Sequence, residues 1–84
     1  MTALEAARLM KSMLDENGQL YQSEAADELA QNDNRLADYD DEGNLCIDKA
    51  VLAEFRKITP DVVYVRSDKM WRPREDYDLP GRQQ

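Results

Sequence analysis

Residues 48–74 constrain the fold more than any other part of the chain, because signals for a helix, a stop and two strands follow one another there without a gap. Asp48 suits an N-cap, where a side-chain oxygen accepts hydrogen bonds from the first amides of a helix. Thr59-Pro60 suits the end of that helix, since a residue before proline is pushed toward extended geometry. Between them, four apolar residues share one face at helical spacing: Val51, Leu52, Phe55 and Ile58.

The segment after this helix has the composition of a β-hairpin. Residues 61–66 are rich in valine, residues 67–69 are polar and turn-like, and residues 70–72 can return antiparallel. Pro73 cannot donate to a sheet ladder, which predicts that the returning strand lies at an edge. A helix followed by a two-stranded hairpin is therefore expected at the C-terminal end of the domain.

Two further helices are predicted in the first half of the chain. Thr2 and Glu5 have the capping-box spacing, in which each side chain accepts a hydrogen bond from the other residue's amide. Gly18 is a natural stop, because glycine takes the left-handed backbone conformation at low cost. Ser23 suits the N-cap of a second helix, which runs to about Gln31.

Residues 36–47 predict a short extra hairpin between the second and third helices. The runs 36–39 and 45–47 contain apolar residues, and the acids and glycine of residues 40–44 between them are a strong turn signal. Cys46 lies in the second run, where alternation turns either its side chain or its two neighbours inward. A free cysteine in such a run is typical of a small core residue.

The same turn carries part of the pattern of a calcium-binding loop. Asp38, Asp40, Glu42 and Gly43 stand at positions 1, 3, 5 and 6 of such a loop. Position 12 is Lys49, where the loop needs a bidentate glutamate. We therefore interpret this segment as an acidic hairpin turn and predict no metal site.

Length and composition bound the organisation of the chain and its chemistry. Its 84 residues suit one domain, assigned to residues 1–74, with a mobile tail over residues 75–84. A domain this short buries a limited core, so self-association or a partner would stabilise it. The sequence has no histidine, the commonest general base, and one cysteine. We predict a cytoplasmic, non-catalytic protein with no cofactor and no membrane span.

Short motifs recur in order along most of the chain: Ala6-Ala7 and Met10, Leu20-Tyr21-Gln22, Ala25-Ala26, Gly43-Asn44-Leu45, Ile47-Asp48, Val51-Leu52, Phe55-Arg56, Thr59-Pro60-Asp61-Val62-Val63 and Trp71-Arg72-Pro73-Arg74. Their order and spacing resemble a small uncharacterised bacterial family of the domain-of-unknown-function type, with members associated with mobile integron gene cassettes. The resemblance implies a bacterial host and a winged-helix-like domain, and it implies no activity or catalytic residue. The predicted fold class is thus α+β: three helices plus a C-terminal β-hairpin, with an extra short hairpin at about residues 36–47.

Charge is divided unevenly along a chain whose net charge is −7. Residues 1–48 hold twelve acids and three bases, whereas residues 49–74 hold seven bases and three acids. The pattern predicts an acidic body with a basic third helix and hairpin. The candidate residues for binding a partner or nucleic acid are Lys49, Arg56, Lys57, Arg66, Lys69, Trp71, Arg72 and Arg74.

Two functions fit this basic segment. The preferred one is an interaction module that forms a homodimer or binds another protein, because the two parts of the chain carry opposite charge. Three aromatic residues near arginines are of the type that anchors interfaces: Tyr64, Trp71 and Tyr77. The alternative is DNA binding by the third helix and hairpin, whose cations would neutralise phosphates. For Trp71 we also keep open a structural role, in which its ring packs against Phe55.

Overall fold

The computed structural model describes residues 1–39, 41–43, 45–76, 78 and 80–81. Within these residues the chain forms a small α+β fold of three helices and five antiparallel strands. In chain order the elements are α1 (Ala3–Asn17), β1 (Leu20–Tyr21), α2 (Gln22–Asn32), β2 (Ala37–Tyr39), β3 (Leu45–Ile47), α3 (Lys49–Ile58), β4 (Val62–Val65) and β5 (Met70–Pro73). The three predicted helices and both predicted hairpins are present. No helix in these ranges is long and apolar enough to cross a membrane.

Helix α1 has the termini that its sequence predicts. The Thr2 hydroxyl accepts a hydrogen bond from the Glu5 amide at 3.1 Å, and the Glu5 carboxylate accepts one from the Thr2 amide at 2.9 Å. These bonds lower the pKa of Glu5, the bond from the Thr2 backbone most of all. At the other end Gly18 takes the left-handed conformation, with φ 75°, and its amide donates to the carbonyl of Leu14. The capping box and the glycine stop are therefore confirmed.

Helix α2 begins one residue before the predicted cap. Its N-cap is Tyr21, whose side chain makes no capping bond, and Ser23 already lies inside the helix. The Gln22 amide donates instead to the carbonyl of Lys69 at 2.9 Å, across to the β4–β5 turn. The prediction for Ser23 was wrong because a contact distant in sequence satisfies this amide, and a local pattern cannot show such a contact.

Strand β5 is the centre of a three-stranded sheet with the order β1-β5-β4. The edge position predicted from Pro73 was therefore wrong. The Arg74 amide faces β4, since it donates to the Asp61 carbonyl at 2.7 Å, and alternation turns the nitrogen of Pro73 toward β1. Strand β1 pairs only with Met70 and Trp71, so it ends before it would need a donor at Pro73.

The extra hairpin, β2 and β3, forms a separate two-stranded sheet that packs against α2. Ala37 pairs with Ile47 and Tyr39 with Leu45. The hairpin predicted from the turn signal between the two runs is therefore present. Ile47 is buried and Cys46 is half-buried, so alternation turns mainly Ile47 inward. The Asp48 amide donates to the carbonyl of Leu36, which closes the base of the hairpin where α3 begins.

Helix α3 packs against α1 and carries the centre of the core. Asp48 is its N-cap, as predicted, although the aspartate side chain makes no capping bond. Val51 and Phe55 are fully buried, and the Phe55 ring meets the Trp71 ring edge-on with centroids 5.3 Å apart. The expected contact between these two rings is therefore present, and it fixes α3 against β5.

Candidate interaction surface

The outer face of α3 combines small alanines with positively charged side chains. Because Val51 and Phe55 point into the core, five residues on the remaining faces are exposed: Lys49, Ala50, Ala53, Arg56 and Lys57. Lys57 forms an ion pair with Glu54 at 3.2 Å on the same helix. Within the described part of the chain, Lys49 and Arg56 form no ion pair, so their charge faces solvent. We call these five residues the α3 face.

The β4–β5 turn presents two more of the predicted cations. Arg66 and Lys69 are both exposed. Lys69 has a φ of 51°, which places a lysine in the left-handed region that favours glycine. Its carbonyl holds the Gln22 amide, so the turn is tied to the start of α2.

The last two predicted arginines contact residues beyond β5. Arg72 forms a bidentate ion pair with Asp78, with Nη1–Oδ2 at 2.8 Å and Nη2–Oδ1 at 2.6 Å. The Arg74 guanidinium donates to the carbonyl of Gly81. The guanidinium of Arg72 lowers the pKa of Asp78 to about 2, helped by a bond from the Glu75 amide. The mobile tail predicted from residue 75 onward thus includes one carboxylate that contacts the domain.

The predicted aromatic anchors lie mostly inside the domain. Trp71 is only 6% exposed and packs between the rings of Phe55 and Tyr64. Tyr64 is half-buried, and its hydroxyl donates to the Gln22 side chain at 2.5 Å. Burial raises the pKa of Tyr64. Tyr77 lies outside the described residues. Neither Trp71 nor Tyr64 therefore has much surface to offer a partner.

Two other tyrosines, which sequence reasoning did not single out, are exposed. Tyr39 is 69% exposed at the end of β2, and Tyr21 is 38% exposed at the start of α2. Successive side chains of a strand point to opposite faces, so a tyrosine that follows a buried leucine, as Tyr21 does, is expected to face solvent. Alternation along each strand, together with the turn next to Tyr39, was the signal that could have found both tyrosines.

These tyrosines lie along a groove between α2 and the β2–β3 hairpin. Two adjacent depressions of about 400 Å³ each share Asp27 and Leu45 in their walls. Tyr21 and Lys69 line the first depression, and Tyr39 lines the second. Three acids also line the two depressions: Asp27, Asp38 and Asp68. We call the two depressions together the α2 groove.

The acidic turn shows no assembled metal site. Among the described residues, no group of three or more histidine, cysteine, aspartate or glutamate side chains is close enough to hold a metal ion. Asp40, which stands at position 3 of the loop pattern, lies outside those residues. The absence of a position-12 glutamate remains the argument against calcium.

Comparison with known sequence families decides the affiliation of the domain. Residues 2–73 match DUF6953, a family of unknown function. The chain belongs to DUF6953. The match covers every element from α1 to β5, whereas Asp78 lies beyond it. Comparisons with curated proteins and with solved structures gave no match. Membership in DUF6953 agrees with the expected uncharacterised domain.

Proposed function

We propose that this DUF6953 domain is a non-catalytic interaction module that associates with a second copy of itself. The observation that carries the proposal is the position of Tyr21 and Tyr39, one exposed in each half of the α2 groove. Tyrosine anchors interfaces because its rigid ring buries a large area while its hydroxyl can still find a partner. The groove is wide and open, which suits a protein surface better than a small molecule.

Charge supports a second copy as the partner. The walls of the α2 groove carry Asp27, Asp38 and Asp68 against one cation, Lys69. The α3 face of another copy offers Lys49 and Arg56 on either side of small alanines, so it can approach closely. Opposite potentials steer such surfaces together and fix their register.

A charge exchange tests this contact directly. Arg56→Glu and Asp27→Lys each place like charges across the interface, so each variant should shift the protein toward monomer in sedimentation equilibrium at 50 mM salt. The double variant restores opposite charges and should associate again. Both positions are exposed, so neither substitution disturbs the packing of the core.

Matched controls separate this contact from a general effect of charge. Arg8→Glu and Glu16→Lys make the same charge changes at exposed positions of α1. They should leave association unchanged. A wild-type protein that stays monomeric at several hundred micromolar and low salt would remove the self-association proposal.

DNA binding is the second candidate, and the order of the elements favours it. A winged helix has the chain order helix, strand, helix, helix and hairpin, with the first strand paired to the last. The same order runs here through α1, β1, α2, α3, β4 and β5, interrupted by β2 and β3. In that arrangement α3 would enter the major groove and the turn with Arg66 and Lys69 would touch the backbone.

A mobility shift with short duplex DNA at 50 mM salt tests the second candidate. Arg56→Gln and Arg66→Gln should each weaken binding and reduce the salt slope by about one, because each removes a phosphate contact. Arg8→Gln is the control on α1. No retardation at protein concentrations near 10⁻⁴ M, the weak end of non-specific affinity, would exclude DNA binding.

Three further expectations are also proposals: the bacterial host and the carriage on an integron gene cassette that the resemblance implies, and the cytoplasmic location expected from the sequence. The first two can be checked in the source genome, and the third by cell fractionation. Cassette recombination sites should flank the gene, and a reporter fused to the protein should fractionate with the cytoplasm. Flanking sequence without such sites would contradict the cassette proposal.

A further inference from the structure

The Asp78 carboxylate sits in a set of donors that is built for an oxyanion. Two guanidinium N–H groups of Arg72 contact its two oxygens at 2.6 and 2.8 Å, and the Glu75 amide donates to Oδ2 at 2.7 Å. The side chain of Asp78 is only 3% exposed, and that of Arg72 is 22% exposed. Bidentate arginine with an added backbone amide is the arrangement that proteins use for phosphate and carboxylate groups.

The sheet holds this donor set on the face opposite Phe55, where Val63 is also fully buried. Trp71 points inward to Phe55, so alternation along β5 turns Arg72 to the opposite face of the sheet, where it stands beside its pairing partner Val63. The charge of Arg74 adds to the positive field, since it also lowers the pKa of Asp78. One arginine and an amide therefore contact the Asp78 carboxylate, and a second arginine adds its charge.

We propose that Arg72 and the Glu75 amide form a phosphate-binding site, and that Asp78 is its internal occupant. The carboxylate stands where a phosphate group would sit, and a phosphate ligand must displace it. If the ligand is the backbone of a nucleic acid, the site deepens the DNA-binding candidate above and rests on it, because Asp78 then limits affinity. A free phosphate group would use the same donors without DNA.

Competing anions can displace the Asp78 carboxylate from Arg72, whereas physiological changes in pH cannot. A pKa of about 2 keeps Asp78 ionised at every pH above about 4. Displacement then depends on the concentration and charge of the incoming anion, as for any competitive ligand.

Full-length Asp78→Asn tests the proposal, because it keeps the shape of the side chain and removes its charge. Asp76→Asn is the matched control: it removes the same charge two residues away, at an exposed side chain with no ion pair in the described structure. We expect Asp78→Asn to bind a short DNA duplex about tenfold more tightly than wild type, the effect of removing one charge-assisted competitor. Asp76→Asn should change affinity much less.

A second measurement follows the Arg72 Nε–H signal by NMR during titration with inorganic phosphate. The signal should move at lower phosphate concentration in Asp78→Asn than in wild type. If this happens while no variant binds DNA, free phosphate is the ligand and the DNA-binding candidate alone fails. Equal DNA affinities for the two variants, with no phosphate response, would overturn the proposal.

Wild-type protein gives an answer even if Asp78→Asn fails to fold. The carboxyl carbon of Asp78 should shift when DNA or phosphate at saturating concentration releases it from Arg72. If bound DNA or saturating phosphate leaves that resonance in place, Asp78 is a structural partner of Arg72 and the proposal is wrong.

Discussion

Lys69 is an exposed residue whose backbone has an unfavourable, positive φ. In the described ranges it is the only non-glycine residue with a positive φ, and its carbonyl also fixes the first amide of α2. Strain of this kind persists where the surrounding structure enforces it, and it is frequent at functional sites. A glycine would suit the turn better, so the cation at this position is consistent with a role in the proposed DNA contact.

Lys69→Gly should therefore make the domain more stable while weakening DNA binding. The comparison is with Lys69→Ala, which also removes the charge but keeps a Cβ in the left-handed region. Urea unfolding should show the glycine variant to be about 1 kcal/mol more stable than the alanine variant. Both variants should lose the same amount of DNA affinity, because both lack the ammonium group. Equal stabilities would show that the turn relaxes without strain.

The Asp78 carboxylate gives a second prediction at the scale of one residue. Its folded pKa of about 2 is below the ordinary value of 3.8, so the folded state holds this proton less tightly than the unfolded state. Its contribution to stability is present above pH 4 and is lost as the pH falls through about 2.

Asp78→Asn should therefore be less stable than wild type at pH 7 and approach it as the pH falls from 4 to 2. Urea midpoints measured at several pH values check this. Asp33, whose pKa is lowered by the Arg35 guanidinium, titrates in both proteins and cancels in the difference. A midpoint difference that stays constant down to pH 2 would contradict the assigned ion pair.

At the scale of elements, local sequence signals predicted the segments whose backbone hydrogen bonds are made within the segment itself. Helix α1 carries its capping box and its stop within residues 2–18, and α3 carries a four-residue apolar face with a proline after it. Strand β1 has two residues, too few for any periodic pattern, and its partner lies fifty residues away. Its existence depends on tertiary contacts, which is also why Ser23 and Pro73 gave wrong predictions.

Tyr64 provides a test of how β1 and the start of α2 are held. Tyr64 lies on β4, and its hydroxyl donates to the side chain of Gln22, the first residue of α2. The backbone bond from the Gln22 amide to the Lys69 carbonyl lies beside it. Tyr64→Phe removes that bond and keeps the ring contact with Trp71, so it should cost about 1 kcal/mol of unfolding free energy. Tyr39→Phe is the control at an exposed position. An unchanged stability in Tyr64→Phe would show that water replaces the lost partner.

At the scale of the whole molecule, the sequence predicted the sign of the charge on each region. It did not predict which cations are available to contact a partner. Lys57, Arg72 and Arg74 carry the expected charge, yet each contacts another group of the same chain. Ion pairs such as Arg72 with Asp78 join residues on opposite sides of a chain bend, and linear charge patterns do not show them. The α2 groove escaped prediction for the same reason, since α2 and the hairpin become its walls only after packing.

The two proposed functions share the α3 face, so self-association and DNA binding should compete. Arg56 belongs to both contacts, whereas Arg66 lies on the β4–β5 turn and lines neither depression of the α2 groove. Arg56→Gln should reduce both activities, and Arg66→Gln should reduce DNA binding alone. Adding a DNA duplex to self-associated wild-type protein should release monomers in sedimentation velocity, because phosphates and the groove acids bind the same cations. A complex that keeps both copies together on DNA would place the two contacts on separate surfaces.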